Sequence, residues 1–70
     1  MPPKTLEFSI PEGEDPDILT IELGEPTSTD LERYTISVTV DKTRVATITA
    51  TAKRLGFILK EERDPGIRGN

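Results

Sequence analysis

Apolar and polar residues alternate one by one along four stretches of this chain, and no other feature constrains its fold as tightly. Leu6, Phe8 and Ile10 alternate with Thr5, Glu7 and Ser9. Leu19, Ile21 and Leu23 alternate with Thr20 and Glu22. Tyr34, Ile36, Val38 and Val40 alternate with Thr35, Ser37 and Thr39, and Ala46, Ile48, Ala50 and Ala52 with Thr47, Thr49 and Thr51. Successive side chains of a strand point to opposite faces, so the pattern describes strands with one buried face. Ten threonines support it, because β-branched side chains suit a pleated surface and lose χ1 freedom in a helix.

Punctuation agrees with the alternation. Residues 11–17 and 24–30 each carry Pro, Gly and Asp and are expected as loops. Residues 53–56 make a short connector, and Asp64-Pro65-Gly66 opens a turn and a tail. Five strands follow, at roughly 4–10, 18–24, 32–40, 44–53 and 57–63, with ends uncertain by ~2–4 residues. The third and fourth form the clearest hairpin, turning at Asp41-Lys42. One extra residue at Val45-Ala46, a β-bulge, sets Ile36 opposite Ile48 and Tyr34 opposite Ala50. In that phase Phe8, Tyr34 and Phe57 all fall on the core side, and so do the small Ala46, Ala50 and Ala52.

The expected fold class is therefore all-β: a single small antiparallel barrel or sandwich of about five strands. The succession of loop lengths looks like that of Src-homology-3-like barrels. The domain spans 1–70, with short irregular termini at 1–3 and 64–70. The alternative is an α+β fold with a helix near 44–55. Val45, Ile48, Ala52, Leu55 and Leu59 do lie at helical spacing, and Gly56 stands where a helix-ending C′ glycine belongs. Ile36-Ser37-Val38-Thr39-Val40-Asp41 followed by Ala52-Lys53-Arg54-Leu55-Gly56 resembles the strand and first helix of ribbon-helix-helix repressors. The resemblance covers about a third of the chain. It departs from the family in the six β-branched residues between Thr43 and Thr51, which disfavour a helix. It departs again in the nine residues, without a capping Ser or Thr, left for a second helix before Pro65.

Composition narrows the function. Seventy residues make one small domain, which buries only ~60 % of the surface its unfolded chain exposes. There is no Cys, so no disulfide and no thiolate nucleophile; there is no His, so no imidazole base or ligand. A Ser-His-Asp triad and a Cys/His zinc site are excluded. The acidic cluster Glu12, Glu14, Asp15 and Asp17 lacks the spacing of an EF-hand and reads as a solvated turn. No metal and no cofactor are expected. Thirteen acidic against nine basic residues give a net charge of −4, which disfavours nucleic acid. The longest apolar run, Phe57-Ile58-Leu59, is far too short to span a bilayer. Nothing at the N-terminus reads as a secretory signal, so the expected location is cytoplasmic or particle-associated.

The candidate site is a hydroxyl face. If both hairpin strands turn their apolar residues inward, Thr35, Ser37 and Thr39 lie beside Thr47, Thr49 and Thr51 in one flat, uncharged patch. Such a patch docks a protein without desolvating charges. Exposed Thr also simply suits strands. The Thr-x-Thr spacing is similar, too, to that of ice-binding surfaces. The expected function is a non-catalytic module acting by protein–protein association or self-association, such as a small subunit of a larger particle, with no small-molecule substrate. Two alternatives are a de novo designed all-β scaffold and an acidic inhibitor that mimics nucleic acid.

Overall fold

The computed structural model describes residues 3–64. Three of the expected strands are present: β1 (Pro3–Ser9), a strand over Thr35–Asp41 and a strand over Ile58–Arg63. The other two segments are helices, α1 (Asp17–Leu23) and α2 (Val45–Arg54). Residues 24–30, expected as loop, contain a short strand, β2 (Thr27–Asp30). Numbered in chain order, Thr35–Asp41 is β3 and Ile58–Arg63 is β4. A 3-10 turn over Lys42–Arg44 leads into α2. The expected termini 1–3 and 64–70 lie outside the described residues, save for Pro3 and Asp64.

The four strands form one antiparallel sheet in the order β2-β3-β1-β4. It is open, not a closed barrel, so the all-β expectation is corrected to α+β. The antiparallel sheet and the helix near 44–55 both stand. In the central pair, Leu6 lies opposite Val38 and Phe8 opposite Ile36. Their shared face also carries Ile10 and Val40, and both helices pack on it. Leu19 and Leu23 come from α1, Ile48 and Ala52 from α2, and Phe57 from the segment leading into β4. This is one sheet layer and one helix layer around a single core.

Helix α1 replaces the strand expected at 18–24 because its apolar residues serve two periods at once. Leu19 and Leu23 are four apart, so they share a face in a helix as well as in a strand. Ile21 separates the two cases, and it is 78 % exposed. The Asp15 carboxylate accepts the Asp17 N–H at 3.0 Å where the helix starts. Gly24 ends the helix at φ 67°, donating its N–H to the Thr20 carbonyl at 3.0 Å.

Helix α2 likewise replaces the strand at 44–53, and with it the Asp41-Lys42 hairpin and its bulge. The Asp41 carboxylate accepts the Thr43 N–H at 3.3 Å and turns the chain into the 3-10 turn. Ile48 and Ala52 are buried, and Val45 and Leu55 pack against the same core. Ala46 and Ala50 face solvent. Beyond α2, Gly56 sits at φ 96°. Its N–H reaches the Lys53 carbonyl at 3.0 Å, and the Phe57 N–H reaches that of Ala52 at 2.9 Å. These are the two bonds of a Schellman motif, and the buried Phe57 ring supplies its apolar contact.

The third strand starts later than expected because residues 31–34 form the turn between β2 and β3. The Asp30 carboxylate accepts the N–H groups of Glu32 (3.1 Å) and Arg33 (3.3 Å). Tyr34 closes the turn at φ 57°, the left-handed region, and is 47 % exposed instead of lying in the core. The expected bulge position holds none, but β4 has an irregularity of its own. Glu7 faces Glu61 while Phe8 faces Leu59, so Lys60 is the extra residue.

Candidate functional site: the uncovered face of the sheet

Strand parity decides what stands on the second face. Residues between the core positions of β1 and β3 point away from the helices, and these are Thr5, Glu7 and Ser9 with Thr35, Ser37 and Thr39. The register extends the rows across the sheet. Ser28, Ser37, Glu7 and Glu61 follow one another from edge to edge, and Thr39, Thr5 and Arg63 make a neighbouring row. The Thr5 and Thr39 hydroxyls are hydrogen-bonded at 2.9 Å. No element of the described chain covers this face.

Three of its polar residues are nonetheless buried. Thr35 is 2 % exposed, and Thr5 and Glu7 are each 8 %. Arg63 lies opposite Thr5 and reaches Glu7, and a long charged side chain can shelter such neighbours with its apolar stem. Arg63 reaches across from β4 to the Glu7 carboxylate at 3.4 Å, and to Glu61 at 3.4 Å. Burial alone pushes the Glu7 carboxyl upward. The Thr35 hydroxyl, the Arg63 hydrogen bond and the charges of Arg33 and Arg63 outweigh it, so Glu7 titrates below its ordinary 4.5. A raised carboxyl is what a general acid near neutrality needs, and this shift runs the other way.

Around Glu7 the face hollows into a groove of about 400 Å³. Its walls come from all four strands and the β2–β3 turn: Ser28 and Asp30, Arg33, Ser37, Glu61 and Arg63. It is almost wholly polar, unlike the apolar clefts that hold most small organic ligands. Among the described residues, no group of three or more carboxylates gathers as a metal ligand set. No described helix is long and apolar enough to cross a membrane.

The six hydroxyl residues expected as one face are divided between two layers. Thr35, Ser37 and Thr39 are on the uncovered sheet face. Thr47, Thr49 and Thr51 are on α2, with the sheet between the two sets. Thr47 is exposed, and Thr49 and Thr51 are half-buried. The Thr49 hydroxyl is buried without a hydrogen-bond partner. The sheet brings to Thr35, Ser37 and Thr39 a set that strand-by-strand reading does not find: Glu7, Ser28, Arg33 and Arg63. Glu7 is signalled by its place between Leu6 and Phe8, which puts it opposite the core. Ser28 carries no such signal, because β2 has no apolar residue. Arg33 and Arg63 become neighbours of Glu7 only through pairings across the whole chain.

β1, α1 and β2 form one β-α-β unit and β3, α2 and β4 a second, interleaved so that β3 lies between β1 and β2. This order defines the class: a split β-α-β sandwich of ferredoxin-like topology, with one sheet face bare. Compared with family models, curated proteins and solved structures, the chain matches none of them.

Proposed function

We propose that this chain is a non-catalytic association module that meets a protein partner through the bare face of its sheet. One observation carries the reading. The helices cover one side of the two central strands, while the other offers hydroxyls, two arginines and a sheltered carboxylate. Such a face docks at moderate desolvation cost, because Arg63 already pairs with both Glu7 and Glu61 and hydroxyls are readily re-paired. The absence of His and Cys and the lowered Glu7 carboxyl point away from catalysis.

The test is a native mass, measured with and without a face substitution. Ser37→Arg places a bulky cation in the middle of the face. Circular dichroism should stay unchanged, while a dimer seen by light scattering, or a complex cross-linked in the native source, should be lost. A chain that stays monomeric at high concentration and cross-links to nothing in its source removes the proposal.

A further inference from the structure

The polar groups of the groove divide unequally between those already paired and those without a partner, and this inference builds on the reading of the bare face above. Every acceptor carboxylate in it is engaged. Glu7 takes Arg63 and sits against Thr35, Glu61 takes Arg63, and Asp30 takes the backbone N–H groups of Glu32 and Arg33. The donors are not. Arg44, Arg54 and Arg63 each pair with a glutamate, whereas Arg33 has no ion pair among the described residues. The hydroxyls of Ser28 and Ser37, cross-strand partners on the groove wall, make no hydrogen bond among the described residues either. A guanidinium fork and two hydroxyls lining one groove are donor chemistry in search of acceptors.

We propose that the groove holds a single oxyanion group, a carboxylate or a phosphate, through the Arg33 guanidinium and the hydroxyls of Ser28 and Ser37. The charge balance restricts the ligand to one such group. Three carboxylates against two guanidiniums leave the groove at −1, within a chain at −4. An acidic run or a polyphosphate would be repelled, while one oxyanion seated at Arg33 completes a pair that the chain leaves open. The same chemistry comes from a free small molecule or from one acidic side chain of a partner.

The experiment is a titration followed by amide and arginine Nε resonances, at ionic strength held constant with sodium chloride. The probes are sodium phosphate, sodium acetate and the neutral-ended peptide Ala-Ala-Glu-Ala-Ala. Saturable shifts confined to Ser28, Arg33 and Ser37 are expected. Arg33→Gln should weaken them at least about tenfold, Arg33→Lys less, and Lys53→Gln on the opposite layer not at all. Saturation by phosphate or acetate with the peptide inert supports the site and assigns it to a free ligand; saturation by the peptide assigns it to a partner's side chain. Shifts that rise linearly, spread over the surface, or persist in Arg33→Gln overturn it. A failed titration beside an intact complex sinks the oxyanion site alone. A partnerless monomer that still saturates with phosphate sinks only the association.

Discussion

β3 and α2 carry nearly the same binary pattern and fold differently. In β3, Ile36, Val38 and Val40 are all buried, as alternation requires. In α2, only Ile48 and Ala52 of the alternating four are buried, and Ala46 and Ala50 turn outward. Size separates them. β3 offers a large β-branched residue at every inward position and meets a matching row from β1. α2 offers alanine at three of four, which adds little to a strand's core but is the best helix former. Val45 and Leu55 then complete a helical stripe that alternation cannot explain. Where two periods compete, the bulk of the residues and the caps at each end decide.

The comparison breaks most visibly at its two shared isoleucines. Ile36→Ala and Ile48→Ala should each cost ~2–5 kcal/mol in urea unfolding, because both side chains are fully buried. Ile21→Ala, at the position that separates the two periods in α1, should stay within ~0.5 kcal/mol. A large loss at Ile21 would return that segment to a strand. Gly56→Ala should cost about 1–2 kcal/mol. The nearest side-chain atom to an added Cβ is Pro11 Cγ at 3.6 Å, so the cost is the positive φ and not a clash. Asp41→Ala should cost ~1 kcal/mol by removing the cap, and Asp41→Asn should recover most of it. The finest test makes one change in both regions. Thr47→Ala on exposed helix should stabilise by about 0.5 kcal/mol, whereas Thr39→Ala should destabilise by a similar amount, losing strand propensity and the Thr5 hydroxyl. Equal signs would erase the distinction between the two regions.

Acid reports on the bare face in the same way. The Glu7 carboxyl is lowered in the folded state, so the unfolded chain binds its proton more readily. Its contribution is fully present above about 4.5 and is lost as pH falls through the lower folded value. Glu7→Gln should flatten that part of the acid-unfolding curve.

Strands that alternate large residues were legible in the sequence. β1 and β3 lie close to their expected ranges, as does β4 without alternating, and the hydroxyls of β3 stand together as the alternation implies. Helix α1 was hidden, and α2 was legible only as the alternative near 44–55, because residues four apart satisfy both periods, as Leu19 with Leu23 and Ile48 with Ala52 do. Their marks were present in the punctuation: Asp15 before α1, Gly24 after it, Asp41 before α2 and Gly56 after it. β2 was hidden for the opposite reason, since Thr27-Ser28-Thr29-Asp30 has no apolar phase to read. The groove was not legible, because it is assembled from pairs as distant as Glu7 and Arg63.

The pairing of β1 with β4 has a topological consequence. Thr5 lies opposite Arg63, and the Lys4 ammonium meets the Asp64 carboxylate at 2.5 Å. The first and last described strands are thus an antiparallel pair lacking only a turn between them. A hairpin loop joining residue 64 to residue 3 closes the backbone into a ring without altering the sheet. Opening that ring at Glu12–Gly13, outside every strand and helix, makes a circular permutant in which the outermost strand becomes a local neighbour. The sheet's most sequence-distant pairing then becomes one of its most local, and folding should quicken while the native structure stays the same.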